Sequence, residues 1–163
     1  MKLRSWLRLG FTAAVSGFIA SCATPTQPVA KLPSNRRIPN VRTTAYCNSE
    51  GSGGKNATGQ YLSGRNVISA AADWSHYPLG TRFRIASTNE EFVIDDYGGA
   101  LIGTNTIDLY KTSRAAMRAW GVRRVDIDVL QWGSPEQSLK VLRPRKSVRI
   151  VRRMIAGLEG KKE

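Results

Sequence analysis

Histidine occurs once in these 163 residues and cysteine twice, and acidic side chains number 12 against 25 Lys and Arg. Each scarcity closes off a chemistry. A cysteine nucleophile needs a basic partner that is itself held by an orienting group. Nothing in the spacing ties Cys47 to His76, and no Asn or Asp orienter can be identified, so Cys47 reads as a buried thiol and His76 as an exposed loop residue. The shortage of acid gives a formal net charge of +13, which suggests a nucleic-acid partner until it is divided along the chain. Residues 1–21 carry +3, residues 22–40 another +3 and residues 143–163 carry +6, which leaves +1 for residues 41–142. Phosphate contacts supply most non-specific nucleic-acid binding, and the body has no basic footprint to make them, so no nucleic-acid partner is expected. Long apolar runs are missing too. The one candidate, Leu9–Ala20, is too short for a permanent membrane span.

What that run does fit is an export signal. Residues 1–21 have a basic start, an apolar centre and small residues before Cys22. The sequence Ile19-Ala-Ser-Cys22 resembles a bacterial lipobox, which implies cleavage before Cys22 and lipid on its sulfur; the other reading is an ordinary signal peptide that happens to contain a cysteine. Buried acyl chains contribute about 0.8 kcal/mol per CH₂, so several of them make a durable membrane anchor. Ala23 rather than Asp follows the cysteine, which by resemblance to enterobacterial sorting implies the outer membrane, facing the periplasm. Residues 22–40, with Pro25, Pro28, Pro33 and Pro39, read as an extended linker. At about 3.1 Å per residue it could reach on the order of 50 Å.

The folded body is expected at residues 41–142, a size that fits a single domain. Val41–Tyr46 and Arg82–Ala86 alternate as strands, with Phe83 and Ile85 on one face. Arg123–Leu130 alternates as well, Val125, Ile127 and Val129 inward and Asp126 and Asp128 outward and solvated. Residues 48–60 are glycine-rich and read as a loop, and Asn89 is a turn residue. One helix is expected at Thr112–Ala119, capped by Thr112 or Ser113 and stopped by Gly121. In the basic segment 143–163, Val148, Val151, Ile155 and Leu158 fall on one helical stripe. Such a tail can lie on an anionic lipid surface, pack on the body or remain solvated.

Chemistry concentrates between Asp95 and Tyr110, where two apolar strand-like segments flank a glycine-rich loop and Asp96 and Asp108 stand where strand meets loop. Asp73 is the third candidate. Asp95 is expected to point away from Asp96 into solvent. The order Thr44-Ala-Tyr46, Ala57-Thr-Gly59, Asp73, Pro78-Leu-Gly-Thr81, Asp96-Tyr-Gly-Gly-Ala100 and Ile107-Asp-Leu-Tyr110 resembles the 3D domain, named for three aspartates. That domain is shared by membrane-bound lytic transglycosylase A and small cell-wall lytic proteins of sporulating bacteria. More distantly the order is similar to the rare lipoprotein A family. The resemblance spans about residues 41–131 and implies a mainly β, six-stranded double-psi β-barrel with one short helix.

It further implies that Asp73, Asp96 and Asp108 converge at one end of the barrel, and that the glycan of peptidoglycan is cut between N-acetylmuramic acid and N-acetylglucosamine. The muramic 6-hydroxyl attacks its own anomeric carbon, giving a 1,6-anhydro product without cofactor or metal. One carboxyl group must donate a proton and then accept one, and neighbouring carboxylates or burial raise its pKa to suit. Asp108 is the favoured acid/base, with Asp96 a close second and Asp73 supporting. Each acid has a plainer reading, as a turn cap for Asp73 and a loop acid for Asp96, and together they could instead hold a divalent cation. By analogy Thr44, Tyr46, Thr58, Gly98 and Gly99 line the groove, although Tyr46 could equally pack in the core. Trp74 is either a sugar platform or a plug. The family loop commonly reads Gly-Gly-Ala-Ile-Lys-Gly and reaches its aspartate one residue sooner; here Ile102 stands at the lysine position. No counterpart is read for the second domain that forms half of the larger enzyme's groove, so a processive grip is not expected. The alternative function is a lipoprotein that binds peptidoglycan without cutting it.

Overall fold

The structure is a computed structural model that describes residues 36–48 and 54–160. The leader, Cys22 and most of the expected linker lie outside the described residues. Six strands form the body: β1 (Arg36–Tyr46), β2 (Val67–Ala71), β3 (Arg82–Ile85), β4 (Glu91–Asp96), β5 (Ile107–Tyr110) and β6 (Arg123–Gln131). They close in the order β1-β5-β2-β4-β3-β6. Two pairs, β1 with β5 and β2 with β4, are parallel, and the other four are antiparallel. The chain is a double-psi β-barrel, as expected.

The alternation read from the sequence is what fills it. Phe83, Ile85, Phe92, Ile94, Ile127 and Val129 are fully buried, with the rings of Phe83 and Phe92 stacked at 5.4 Å. Asn89 takes φ 60° in the β3–β4 turn. Helix α1 (Arg114–Trp120) starts where the Ser113 side chain accepts a hydrogen bond from the Ala116 amide. It ends at Gly121, whose φ of 61° suits glycine and whose amide donates to the Met117 carbonyl.

Two differences from the sequence reading have physical causes. The first strand begins at Arg36, inside the stretch read as linker, because residues 36–38 pair with Val129, Asp128 and Ile127 of β6. A register shift between Ile38 and Val41, with Asn40 at φ 58°, breaks the alternation there and leaves Pro39 in a bulge, where a missing amide proton is tolerated. Asp128 is accordingly not a bare solvated acid. Arg37 donates to both of its oxygens, at 2.8 and 3.0 Å.

The second difference is helical content. Beyond the barrel lie α2 (Pro135–Leu142) and α3 (Arg149–Glu159), joined by a 3-10 turn at Arg143–Arg145. Ser134 caps α2 by accepting from the Gln137 amide, with Pro135 at the first helical position. The Pro78-Leu-Gly-Thr81 turn docks on this segment. The Leu79 amide donates to Ser138 Oγ at 2.9 Å, and the Gly133 amide donates to Thr81 Oγ1 at 3.0 Å. In α3, Val151, Met154 and Leu158 are buried in the apolar cluster that also holds the barrel core and Leu139 and Leu142 of α2, and Val148 falls outside the helix, 48% exposed. Of the three fates read for the tail, packing on the body is the one adopted. Burying each such side chain contributes about 1.5–3 kcal/mol, so this stripe is not available to a membrane while α3 stays docked.

The docking is close at one point. A Cβ at Gly157 would stand 2.7 Å from the Ser75 Cβ. Gly157→Leu is therefore expected to force α3 away and cost about 1–3 kcal/mol. Thermal denaturation checks this, and an unchanged Tm would contradict the packing.

Candidate active site

Ala71, the last residue of β2, lies opposite Asp96 of β4 on one side and Asp108 of β5 on the other. Asp108 in turn lies opposite Thr44 of β1. Strand pairing alone thus brings Thr44, Asp96 and Asp108 to one end of the barrel, with Asp73 two residues beyond the end of β2. The side chains are used differently. Thr44 Oγ1 donates a 2.6 Å hydrogen bond to Asp108 Oδ1, which aims the partly buried Asp108 carboxyl group. Asp96 lines an open groove of about 390 Å³ together with Lys55, Asn56, Gly59, Tyr97 and Arg145. Burial pushes the Asp96 carboxyl up to about 6; the Tyr97 amide opposes this, the neighbouring Asp95 adds to it, and the Ala57 amide and Arg145 oppose it.

Asp73 is only 2% exposed and does not line that groove. Its Oδ1 accepts from the Ser75 amide at 2.9 Å and its Oδ2 from the Gly103 amide at 2.7 Å, with His76 Nδ1 at 3.5 Å. It caps the 73–77 turn and ties it to the loop that separates Asp96 from Asp108. Trp74 is fully buried, donates from Nε1 to the Asp96 carbonyl at 2.9 Å and meets Tyr97 edge to face. Of the two readings for Trp74 the plug is observed, and it fixes the backbone under Asp96. Cys47 is buried and His76 is exposed, as expected, and the close polar neighbour of His76 is Asp73.

Asp95 corrects the sequence reading. It accepts from Ser69 Oγ at 2.7 Å and Asn56 Nδ2 at 2.9 Å, and its Oδ1 is buried with no partner among the described residues. The cause is a slip in register: Ala70 faces Ile94 but Ala71 faces Asp96, so Asp95 is the extra residue of a bulge and alternation fails there. Burial raises its carboxyl, and the Ser69 and Asn56 hydrogen bonds oppose the rise. Tyr46 packs against Tyr110 at 5.6 Å with its hydroxyl enclosed and without a hydrogen-bond partner among the described residues. Burial first, then the charges of Asp96, Asp95 and Asp108, hold that phenol well above its usual range.

The remaining residues expected at the groove are peripheral to it. Thr58 is exposed, and its hydroxyl donates to Asn56 Oδ1 at 2.7 Å. Gly98 precedes a 3-10 turn at Gly99–Leu101, and Gly99 faces Ile150 of α3. Ile102, at the lysine position, is 6% exposed and packs in the core. Lys55, Asn56 and Arg145 were not marked by the sequence. Asn56 sits in a loop of no evident pattern, and Arg145 follows Tyr97 by 48 residues.

Residues 68–131 match the 3D domain. The match runs from β2 to the end of β6 and includes Asp73, Asp96 and Asp108. Two solved structures of the E. coli lytic transglycosylase MltA are similar to this chain, one of them a substituted variant in an apo form. Each is 27% identical with a TM-score of 0.38, and the aligned parts cover 49% and 51% of this chain but 28% and 29% of theirs. The chain therefore spans less than a third of those proteins. No curated protein matches it. Helices α2 and α3, and with them Arg145, lie beyond the 3D domain match.

The elevated Asp96 carboxyl has a consequence for stability. Its folded-state pKa of about 6 exceeds the ordinary 3.8. The native state holds this proton more tightly, and the stability it contributes is complete below 3.8 and lost as pH rises through 6. Asp96→Asn, neutral at every pH, should be more stable than the parent at pH 7 by about 1 kcal/mol, a figure reduced for the carboxyl's access to solvent. The advantage should vanish near pH 4. Denaturation at the two pH values checks it, and equal stability at pH 7 would contradict the raised pKa.

Proposed function

We propose that this chain is a peptidoglycan lytic transglycosylase that cuts the N-acetylmuramic acid–N-acetylglucosamine bond with formation of a 1,6-anhydro ring. The observation that carries this reading is a groove-lining carboxyl able to keep a proton near neutral pH, one strand away from a second aspartate, within a 3D domain.

In the proposed reaction, the acid gives its proton to the glycosidic oxygen as the C1–O bond breaks and its electron pair stays on that oxygen. The muramic 6-hydroxyl then bonds to C1 and passes its proton to the same carboxylate. No water is consumed, and the acid is regenerated. Hydrolysis would need a second carboxylate to activate water, whereas this intramolecular attack does not. Asp108 is assigned as the acid/base, because the Thr44 hydroxyl aims it. Asp96 stands across β2 and favours the protonated form of its neighbour when ionised. The elevated pKa of Asp96 supports a second assignment, in which Asp96 moves the proton and Asp108 steadies positive charge at the anomeric carbon. Asp73 serves both by holding the loop between them. Thr44 acts through Asp108, and Thr58, Gly98 and Gly99 support the loops that border the groove.

The proposal extends to the setting. A lipidated Cys22 would tether the barrel in the cell envelope, at the outer membrane facing the periplasm, with glycan strands as the partner. Contact with anionic lipid remains open to the exposed arginines of α3, although its apolar stripe is used in packing.

Clearing of a purified peptidoglycan suspension by the full chain tests the assignment. Asp108→Asn should lower kcat by about 10²- to 10⁴-fold, the usual loss on removing an acid/base group, with KM little changed. A larger loss for Asp96→Asn than for Asp108→Asn would transfer the role to Asp96. Sedimentation with the wall but no clearing by the parent chain would make the protein a binding lipoprotein.

A further inference from the structure

The groove beside Asp96 carries two cations from widely separated parts of the chain. Lys55 comes from the loop after β1, and Arg145 from the 3-10 turn between α2 and α3, outside the 3D domain match. Among the described residues neither stands within salt-bridge distance of a carboxylate. Arg145 is not loosely placed. Its Nη1 lies 3.4 Å from the Tyr97 hydroxyl, and the two helices that carry its turn are anchored by Leu139, Leu142, Val151 and Met154, each no more than 1% exposed. Anchoring and exposure together describe a guanidinium held ready beside a carboxyl group that is itself largely unpaired with it.

We propose that Arg145, assisted by Lys55, binds a carboxylate of the glycan substrate next to Asp96, so that the C-terminal helices complete the subsite that fixes the muramic residue. This rests on the transglycosylase reading. A planar guanidinium accepts a carboxylate in a two-point grip that a lone ammonium cannot reproduce, and a charge-assisted pair of this kind orients as well as attracts. Peptidoglycan offers that chemistry from two sources, the lactyl carboxylate of muramic acid when the stem peptide has been removed and the carboxylates of the peptide when it is present. N-Acetylglucosamine carries none. A cation pair on one side of the cleavage point would therefore set which sugar lies toward Asp96. Ile102 of the loop between β4 and β5 is buried in the core, and residues 97–106 of that loop contain no Lys or Arg, so Arg145 gives the groove a positive group that this loop lacks. Arg145 is a positioning and specificity residue in this account, not a catalytic one.

The test compares the parent chain, Arg145→Gln and Arg145→Lys on three substrates. These are strands bearing stem peptides, strands stripped of peptide by an amidase, and stripped strands whose lactyl carboxylates have been converted to neutral amides. Equilibrium binding and cleavage kinetics are measured separately. Arg145→Gln should weaken binding and raise KM about tenfold on the charged strands, as expected for loss of a charge-assisted pair, with kcat within about twofold of the parent. It should change neither on the amidated strands, and Arg145→Lys should recover part of the affinity. A loss confined to stripped strands assigns the lactyl carboxylate, and a loss confined to peptide-bearing strands assigns the stem peptide. Equal affinity of parent and Arg145→Gln on every strand, or an equal loss on the amidated strands, would overturn the proposal. If the parent binds strands without cutting them, the catalytic reading fails while the affinity comparison still decides the role of Arg145.

Discussion

The working end of this barrel depends on the pairing of one five-residue strand. Because β2 runs parallel to β4 on one side and antiparallel to β5 on the other, its last residue, Ala71, has Asp96 and Asp108 as opposite neighbours. No helix-based scaffold is needed to bring the two acids together; the hydrogen-bond ladder does it. A one-residue slip of β5 would turn Asp108 toward the core and carry Leu109, now fully buried, out of it. The apolar cost of that exchange protects the register, so the packing of Leu109 and Ile107 beneath the site is also what holds the carboxyl in place.

Around this pairing the surroundings divide the acids by role. Asp73 has both oxygens engaged by backbone amides and behaves as a fastener between turn and loop. Asp95 is turned into the wall by a bulge and bonded to Ser69 and Asn56. Asp96 is left at the groove, desolvated enough to hold its proton to about 6. Four carboxyl groups near one barrel end would repel if all were ionised and open, and the structure relieves this by bonding some and raising others. The C-terminal helices press on the same region. Gly157 sits against Ser75 and Ile150 against Gly99, so the two loops that carry the acids are braced by a segment outside the matched domain.

Most of the architecture was legible in the sequence. The period-two burial of Phe83 with Ile85 and of Ile127 with Val129, the Asn89 turn and the Gly121 stop all follow from local rules that the barrel obeys. The early part of β1 was not, because Pro39 and the left-handed Asn40 imitate linker chemistry while sitting in a bulge. Helix α2 hid in eight residues, and its buried Ser138 gives no apolar signal. At the candidate site, Asp96 and Asp108 were marked from their places at strand ends, and strand pairing sets both opposite Ala71. Asp95 was misread because a register slip is invisible to an alternation rule, and Arg145 was not marked because only the tertiary fold brings the chain back to Tyr97.

The central claim is that the aspartic acid/base serves an internal attack by the sugar rather than an attack by water. It is tested most directly by mass spectrometry of the fragments that the full chain releases from purified peptidoglycan. The account requires muropeptides one water lighter than their reducing counterparts, with a non-reducing 1,6-anhydro end. Fragments ending in reducing sugars would contradict it and make the protein a hydrolase.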